Sequence, residues 1–361
     1  MGLLRSCGAP TKVSIQEADH SASVLERVLV EKRRVFGALA IRRLTRTVPF
    51  RSRLPVICVG NFTAGGTGKT PMSLALVRLL PDLGETPAVL TRGYGGRISG
   101  PHWVDPESDG AGTVGDEPLL IAGAAPVMLA RDRTAGARAI EQGRGNTGAS
   151  VIVMDDGLQN PGLAKDLSIA LVDGKRGVGN GEVIPAGPLR APLDFQLGLV
   201  HAIVVNRGFD GAAIEGAAER TFKRLFTGPV LAAEGAVADE KAWLEGARVI
   251  AYAGIANPGR FFDLIARCGA GVIEQRAYPD HHTWTEGDAA LLLSAAETAG
   301  ASLVTTEKDY VRLARDAGGA LGRLRAVSRT LPIALRFDDL NRERLRALVV
   351  TALKEARARR G

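Results

Sequence analysis

Short apolar runs recur along the chain from residue 55 onward, and helical patterns lie between many of them. Several runs are apolar throughout, as strands buried on both faces of a parallel sheet must be. Strand, turn and helix therefore alternate, which predicts a doubly wound, mostly parallel α/β sheet. The predicted strands of this sheet are residues 55–59, 88–91, 126–130, 151–154, 169–172 and 202–205.

A second, shorter series of the same kind follows and indicates a smaller α/β domain. Predicted strands at 249–253 and 302–306 are separated by predicted helices near 258–268 and 287–299. The patterns divide the chain into five segments. These are a polar, poorly ordered extension (1–22), a basic amphipathic helix (23–50), the large α/β core (51–228), the smaller α/β domain (229–330), and a C-terminal strand and helix that pack back on the core (331–361).

The predicted N-terminal helix has faces of opposite character, because apolar residues fall at helical spacing and arginines occupy the other faces. Such a helix can lie in a membrane interface with its arginines on anionic head groups. It can equally pack on the core as an ordinary surface helix, and the pattern leaves both possibilities open. The apolar positions are Leu25, Val28, Leu29, Phe36, Leu39 and Ala40, and the basic ones are Arg27, Arg34, Arg42, Arg43 and Arg46.

The composition is that of a folded protein with few aromatic residues. The chain has 361 residues, of which 45% are hydrophobic and 5% aromatic, and a formal net charge of +7. This charge favours an anionic partner such as nucleic acid, an anionic membrane surface or a phosphorylated substrate. Three widely spaced cysteines without a C-x-x-C pair argue against a disulfide framework and fit a reducing compartment. No apolar run approaches the roughly 20 residues of a transmembrane helix, so a cytosolic protein is expected.

The stretch V-G-N-F-T-A-G-G-T-G-K-T-P, residues 59–71, joins a predicted strand to a predicted helix. Its glycines allow backbone N–H groups to turn toward a phosphate at the helix N-terminus. The usual pattern has a glycine where Thr63 stands, so we predict a variant phosphate loop and a core of the P-loop NTPase type. Lys69 would contact the β- and γ-phosphates of ATP, and Thr70 would bind Mg²⁺. The residues expected to bind nucleotide are Thr63, Ala64, Gly65, Gly66, Thr67, Gly68, Lys69 and Thr70.

Two adjacent acids, Asp155 and Asp156, end a strand that is predicted to be buried. Ligands of open α/β sheets bind at the carboxyl ends of the strands, and P-loop enzymes place an acid there to hold Mg²⁺. Because neighbouring carboxylates repel each other, a cation should lie close to them. We therefore predict a metal site here, in preference to a helix cap and a surface acid.

A phosphoryl acceptor would need a residue that orients or deprotonates it. The candidates are Asp116 and Glu117 in V-G-D-E-P, and His281 or His282 in P-D-H-H. A carboxylate next to an imidazole can form a base pair of this kind. By itself, however, each of these residues is more often a cap or a surface group. T-E-K-D at 306–309 is a poor match to the base-reading motif of GTPases.

Eight stretches in the same order resemble those of the tetraacyldisaccharide 4′-kinases, which phosphorylate a lipid A precursor in Gram-negative bacteria. The likeness covers about residues 25–315, and members of that family also lack the early glycine of the phosphate loop. The stretches are 59–71, L-T-R-G-Y-G-G (90–96), G-D-E-P (115–118), D-D-G-L-Q (155–159), R-G-V-G-N-G-E-V-I-P-A-G-P-L-R (176–190), A-G-I-A-N-P-G-R-F-F (253–262), D-H-H (280–282) and T-E-K-D (306–309).

The resemblance implies transfer of the ATP γ-phosphoryl group, with Mg²⁺, to the 4′-hydroxyl of a tetraacyldisaccharide 1-phosphate, which gives lipid IVA. It implies that Asp116 is the general base and that His281 is its partner. Lys69 and Thr70 would serve the phosphates and the metal. Glu117, Asp155 and Asp156 would organise metal and nucleotide, while Arg92, Tyr94, Asn180 and Arg190 are implied contacts to the sugar and its 1-phosphate.

The resemblance also implies a peripheral protein on the cytoplasmic face of the bacterial inner membrane, held there on anionic lipid by the N-terminal helix. The few aromatic residues argue against nucleic acid as a partner. A regulatory P-loop GTPase or ATPase without a lipid acceptor is the alternative. Two positions depart from the family pattern: Asn160 stands where a histidine is usual, and Lys165 where an arginine is usual. An amide does not titrate as imidazole does, so Asn160 is expected to alter turnover if this position helps to bind nucleotide or metal. Since it is not the proposed base, we do not expect loss of activity.

Overall fold

The computed structural model describes residues 35–143, 148–209, 215–237, 242–313 and 318–361. The predicted extension (1–22) and the first part of the predicted basic helix (23–34) lie outside these residues. Residues 35–46 are helical and form α1. Within the described ranges, no helix combines the length and the apolar character that crossing a bilayer requires.

The strands and the remaining helices alternate along most of the chain. The strands are β1 (Val56–Asn61), β2 (Pro87–Thr91), β3 (His102–Trp103), β4 (Val127–Leu129), β5 (Val151–Asp155), β6 (Leu167–Asp173), β7 (Ala202–Asn206), β8 (Val230–Val237), β9 (Arg248–Ala253), β10 (Gly271–Ala277), β11 (Ser302–Thr305), β12 (Arg329–Thr330) and β13 (Ile333–Arg336). The helices are α2 (Lys69–Leu79), α3 (Ala111–Val114), α4 (Asp116–Ala122), α5 (Arg133–Glu141), α6 (Leu193–Leu197), α7 (Ala217–Leu225), α8 (Pro258–Arg267), α9 (Glu286–Ala299), α10 (Glu307–Arg312), α11 (Gly319–Val327) and α12 (Asp339–Ala358).

In the described part of the chain, nine strands form the large sheet in the order β13-β8-β7-β6-β1-β5-β2-β4-β3. The neighbours of β1 are β5 and β6, and both run parallel to it. The edge strands β3 and β13 run antiparallel to their neighbours. The predicted doubly wound, mostly parallel sheet is therefore confirmed.

Hydrophobic core lies on both faces of this sheet. As a result, β1 is buried along its whole length. Successive side chains of a strand point to opposite faces. Ile57 packs in a cluster with residues of α2 and α12, whereas Val56 and Cys58 pack in another cluster with residues of α5. The apolar run of residues 56–59 in β1 is thus explained by helices on both sides, as a parallel sheet requires.

The second sheet is parallel throughout and has the order β10-β9-β11-β12. One face packs against α8, and the other against α9 and α11. Its chain segment is inserted between β8 and β13, which pair with each other in the large sheet. The chain therefore returns to the core through β13 and α12.

The structure places β8 differently from the sequence-based boundary at residues 228 and 229. Residues Val230–Ala233 pair in parallel with β7, so β8 belongs to the large sheet and the smaller unit begins after it. β8 escaped the sequence analysis because V-L-A-A-E-G-A-V is rich in small residues and its second half is only half-buried. Such a segment lacks the continuous apolar run that marks the other parallel strands.

Candidate active site

The loop between β1 and α2 is open to solvent at the place where a phosphate would bind. Ala64, Gly65 and Gly66 are exposed, and a Cβ atom at either glycine would meet no atom within 4 Å. Gly65 and Gly68 have φ angles of 108° and 99°, which residues with a side chain rarely adopt. The loop leads into α2, whose first N–H groups have no acceptor within the helix. This backbone arrangement is suited to an anion.

The position of Thr63 explains why this loop lacks the early glycine. Thr63 is buried, pairs with Leu189 in an antiparallel bridge, and is not among the residues with positive φ. The N–H of Ala64 donates to the carbonyl oxygen of Pro188 at 2.8 Å. The first part of the loop is thus extended backbone that is held by residues 188–189, and an extended residue needs no glycine.

Two asparagine side chains donate hydrogen bonds to the later part of the loop. Asn61 Nδ2 donates to the carbonyl oxygen of Gly65 at 3.2 Å, and Asn206 Nδ2 donates to that of Thr67 at 3.1 Å. Asn61 ends β1 and Asn206 ends β7, so the sheet itself fixes the loop. The carbonyl groups of Gly65 and Thr67 are therefore engaged by side chains at the ends of strands.

A cation was predicted near the acid pair, and the structure has Lys69 and Arg190 there. Lys69 Nζ lies 3.7 Å and Arg190 Nη1 3.2 Å from the same oxygen, Oδ1 of Asp156. Arg190 Nε also donates to the carbonyl oxygen of Thr63 at 3.3 Å. Arg190 therefore lies against the phosphate loop. Asp156 has a φ of 48°, which turns the chain sharply after β5.

Asp155 is almost completely buried at the end of β5. Its Oδ1 accepts a hydrogen bond of 2.7 Å from Ser73 Oγ in α2. Burial, and then the negative charge of Glu117, raise the pKa of Asp155 to about 6. Arg133 is also buried, and its Nη2 donates to the backbone carbonyl of Asp155 at 3.4 Å. This residue was not predicted from the sequence.

Some of the acids at this edge are of the kind that could hold a Mg²⁺ ion. In the part of the chain that the structure describes, no three His, Cys, Asp or Glu side chains form a ready-made metal site. Mg²⁺ commonly takes one or two carboxylates and completes its coordination with water and substrate phosphates. Burial and, after it, the charge of Glu117 raise the pKa of Asp155, and a divalent cation near Asp155 and Glu117 would favour its ionised form. Thr70, in the first turn of α2, supplies a hydroxyl at the same edge.

Asp116 is the first residue of α4 and is 3% exposed. Its Oδ1 accepts a hydrogen bond of 2.9 Å from the N–H of Glu117. Its Oδ2 accepts from Arg312 of the second unit, with 3.1 Å to Nε. Burial alone would raise the pKa of Asp116, but the positive charges of Lys308 and Arg312 outweigh it and hold that pKa below its usual range. Asp116 is therefore ionised at neutral pH, as a proton acceptor must be.

His281 reaches Asp116 from the second unit, with 3.5 Å between Nδ1 and Oδ2 of Asp116. It has a φ of 58°, and its N–H donates to the carbonyl oxygen of Gly254 at 3.1 Å. The exposed ring of Tyr94 lies beside it, with 5.7 Å between the ring centroids. Of the two histidine candidates, the structure thus brings His281 to the acid.

His282 lies in a different environment. Its Nε2 is 3.0 Å from Oδ2 of Asp288, at the start of α9. Its ring packs against Tyr278 and Trp284. This histidine joins the aromatic cluster and the cap of α9, away from Asp116.

The T-E-K-D segment joins the two units. Thr306 caps α10, and the buried Asp309 accepts hydrogen bonds from the N–H of Gly254. Lys308 Nζ donates to Oε1 of Glu117 at 2.6 Å. Lys308 and Arg312 were not predicted from the sequence as site residues. Their spacing of four residues places both on one face of α10, and that signal could have found them.

The other predicted sugar contacts lie in exposed segments. Arg92 is exposed in the loop after β2, two residues before Tyr94. Asn180 is engaged within its own loop, since its Nδ2 donates to the carbonyl oxygen of Ala186 at 2.9 Å and its Oδ1 accepts from the N–H of Glu182 at 3.1 Å.

The two departures from the family pattern lie in the turn that follows Asp156. Asn160 Oδ1 accepts a hydrogen bond of 2.9 Å from the N–H of Gly162. Lys165 Nζ donates to the carbonyl oxygens of Asn160 and Leu158, at 2.6 Å and 3.2 Å. Both side chains therefore fix the backbone of this turn.

The large, mostly parallel sheet carries an exposed phosphate loop at its centre. An Asp–His contact lies where the second unit meets the core. Together these features define a P-loop kinase. Residues 23–353 match the family described as tetraacyldisaccharide-1-P 4′-kinase. The chain belongs to this family.

Individual relatives agree with this assignment. The chain is 48% identical over 323 residues to the tetraacyldisaccharide 4′-kinase of Nitrobacter winogradskyi, which covers 88% of this chain and 91% of the relative. It is 50% identical over 321 residues to that of a Methylorubrum extorquens strain, covering 89% and 93%. The crystal structure of LpxK from Aquifex aeolicus in complex with ATP has the same fold. Its TM-score is 0.71 at 23% identity, and the match covers 91% of this chain and 99% of that one.

Proposed function

We propose that this protein transfers the γ-phosphoryl group of ATP to the 4′-hydroxyl of a tetraacyldisaccharide 1-phosphate, yielding lipid IVA. The observation that carries this proposal is the contact of Asp116 with His281 across the two units, in a chain of the tetraacyldisaccharide-1-P 4′-kinase family. An ionised, buried carboxylate beside an imidazole is suited to accept the proton of a sugar hydroxyl.

In the proposed reaction, Asp116 removes the proton of the 4′-hydroxyl as the oxygen attacks the γ-phosphorus. The bond from that phosphorus to the β,γ-bridging oxygen breaks, and ADP leaves. His281, at 3.5 Å, lies beside the carboxylate and helps to carry the proton away. Loop N–H groups and Lys69 stabilise the charge on the phosphoryl oxygens, which is usually the largest contribution to catalysis.

We also propose that Asp155, Glu117 and Thr70 hold Mg²⁺, with Asp156 orienting Lys69 through their 3.7 Å contact. When bound, this ion would neutralise charge on the β- and γ-phosphates. Lys308 donates a hydrogen bond to Glu117. When the metal is bound, Glu117 would either lose this hydrogen bond or contact Lys308 and the metal together. Tyr94, beside His281, is the sugar contact that the structure supports best. Arg190 is better placed to contact ATP than the sugar, because it lies against the phosphate loop.

The acceptor carries acyl chains, so we propose that α1 rests on the anionic surface of the inner membrane, at its cytoplasmic face. Val35, Phe36 and Leu39 of α1 are each more than half exposed, although they are apolar. Gly37 lies close to Pro192 of the core, and Arg42, Arg43 and Arg46 are exposed further along the helix. A helix packed on the core as an ordinary surface helix would bury such apolar side chains, so their exposure favours the membrane over that alternative.

A regulatory GTPase is not favoured, because the T-E-K-D side chains are engaged between the two units rather than available to read a base. The test is incubation of the protein with γ-labelled ATP, Mg²⁺ and the tetraacyldisaccharide 1-phosphate in detergent. The expected product is a labelled lipid that contains one additional phosphate. Hydrolysis of ATP without a labelled lipid would reject the proposal.

A further inference from the structure

We infer that Arg312 is a positioning residue that orients the carboxylate of Asp116 and makes this orientation depend on the docking of the second unit. The inference rests on the proposed function, since it presumes that Asp116 is the proton acceptor. Arg312 is the last residue of α10, and its side chain is only 8% exposed.

The guanidinium of Arg312 is itself held rigidly by the second unit. Its Nη1 donates to Oδ1 of Asp309 at 3.0 Å and to the carbonyl oxygen of Gly254 at 2.6 Å. Asp309 is fully buried, and both of its carboxylate oxygens also accept from the N–H of Gly254. The same carbonyl of Gly254 accepts from the N–H of His281. Arg312 and His281 are thus fixed to one point of the backbone.

The orientation of the Asp116 carboxylate is set by Arg312 rather than by His281. Both Nε and Nη2 of Arg312 donate to Oδ2 of Asp116, whereas Nδ1 of His281 lies 3.5 Å from it, beyond a normal hydrogen bond. The other oxygen, Oδ1, is engaged by the N–H of Glu117. Nη2 of Arg312 also lies 3.3 Å from Nδ1 of His281. The planar guanidinium therefore determines how both members of the pair face each other.

Because Asp116 and Arg312 lie on different units, separating the units would release the carboxylate. Misplacing a catalytic group by about 1 Å can cost 100-fold in rate. We expect Arg312→Gln to lower kcat about 10- to 100-fold, while the KM for ATP changes less than about threefold. Arg312→Lys keeps the charge but loses the planar fork, so it should recover only part of the loss.

The experiment measures kcat and KM for both variants, and for Asp116→Asn with and without Arg312→Gln. If Arg312 acts through Asp116, Arg312→Gln will have little further effect in the Asp116→Asn background. The control is Arg248→Gln, which removes a cation at the opposite end of β9 and should retain wild-type kcat. Unchanged kcat in Arg312→Gln, a change confined to the KM for ATP, or full additivity with Asp116→Asn would overturn the inference.

Loss of folding is distinguished by thermal denaturation of each variant and by the partial recovery expected of Arg312→Lys. A lysine variant that is as stable as the wild type but no more active than the glutamine variant would overturn the inference. An active wild type with a fully active Arg312→Gln variant rejects this inference alone. A wild type that produces no labelled lipid rejects the proposed function instead.

Discussion

The carboxylate of Asp116 and the imidazole of His281 lie 3.5 Å apart, although 165 residues separate them in the sequence and they belong to different units. Asp116 begins α4 of the core, and His281 lies in the segment that follows β10 of the second sheet, a strand that runs parallel to β9. The contact exists only when the two units are docked.

The first prediction concerns this pair. Asp116→Ala should lower kcat by about 10²–10⁴-fold, since that is the usual contribution of a general base. The KM values should change much less. His281→Ala in the Asp116→Ala background should add little to the loss. His282→Ala is the matched control, because the neighbouring ring packs in the aromatic cluster. Wild-type kcat in Asp116→Ala would contradict the base assignment.

The second prediction concerns the phosphate loop. Lys69→Ala should nearly abolish turnover, because Lys69 stabilises the charge of the transferred group. Arg78→Ala, which removes an exposed cation from the last turn of the same helix, is the control and should retain activity. The labelled-lipid assay measures both. Equal activity of the two variants would show that the loop lysine has no special role.

The third prediction concerns pH and the stability of the free protein. The pKa of Asp155 in the folded state is about 6, above its ordinary value of 3.8. The folded state therefore binds this proton more tightly than the unfolded state does. Its stabilising effect is complete below about pH 3.8 and is lost as the pH rises through about 6.

Asp155→Asn should accordingly stabilise the free protein by the order of 1–3 kcal/mol at pH 8, and by less at pH 5. The amide oxygen can still accept the hydrogen bond from Ser73. Thermal denaturation at the two pH values, without nucleotide or metal, measures the effect. A stabilisation that is the same at pH 5 and pH 8 would show that ionisation of Asp155 does not strain the fold.

The fourth prediction concerns Asp166, which joins the C-terminus of α12 to β1. Its Oδ2 accepts from the N–H of Val56 at 2.8 Å and from Arg360 Nη2 at 2.7 Å. Burial would raise the pKa of Asp166, but Arg360, the N–H of Val56 and Arg359 hold it below its usual range. The stabilising contribution is therefore present above about pH 4 and is lost as the pH falls through the lowered pKa.

Arg360→Gln should destabilise the protein by about 1–3 kcal/mol at pH 7, because it weakens the pairing of a buried carboxylate. The difference from wild type should shrink toward pH 3. Urea denaturation measures it, with Arg344→Gln on the exposed face of α12 as the control. A difference that persists unchanged at pH 3 would mean that Arg360 acts through packing alone.

The fifth prediction concerns α1 and the membrane. Replacing Arg42 and Arg43 with glutamate should weaken binding to anionic vesicles, and rising salt should weaken the binding of the wild type. The control carries the same change of charge at Arg220 and Arg224, which are exposed on α7. Co-sedimentation with vesicles measures binding. If both variants lose binding equally, net charge rather than α1 is responsible.

The sequence predicted the centre of the large sheet well because β1, β5 and β6 contain the apolar runs 56–59, 151–154 and 169–172, as strands with helices on both sides must. The phosphate loop was equally clear, since glycines at fixed positions are demanded by backbone geometry. β8 was not predicted, and neither was β10, whose side chains alternate between exposed and half-buried. Such weak patterns do not reveal the sheet to which a strand belongs.

The acids and His281 were found from the sequence, but Arg312 and Arg133 were not. The role of each depends on contacts with segments far away in the chain: Arg312 meets Asp116 across 196 residues, and Arg133 meets the backbone of Asp155 across 22. The four-residue spacing of Lys308 and Arg312 indicates a shared helix face, but it does not show which distant segment that face contacts.

The pairing of β8 with β13 places Val237 directly opposite Ile333. Residues opposite each other in an antiparallel ladder are only about 5 Å apart, which is a distance that a tight turn can span. The whole smaller unit thus occupies the position of a hairpin turn at the edge of the core. Replacing it with a two-residue turn would leave the path of the core chain intact.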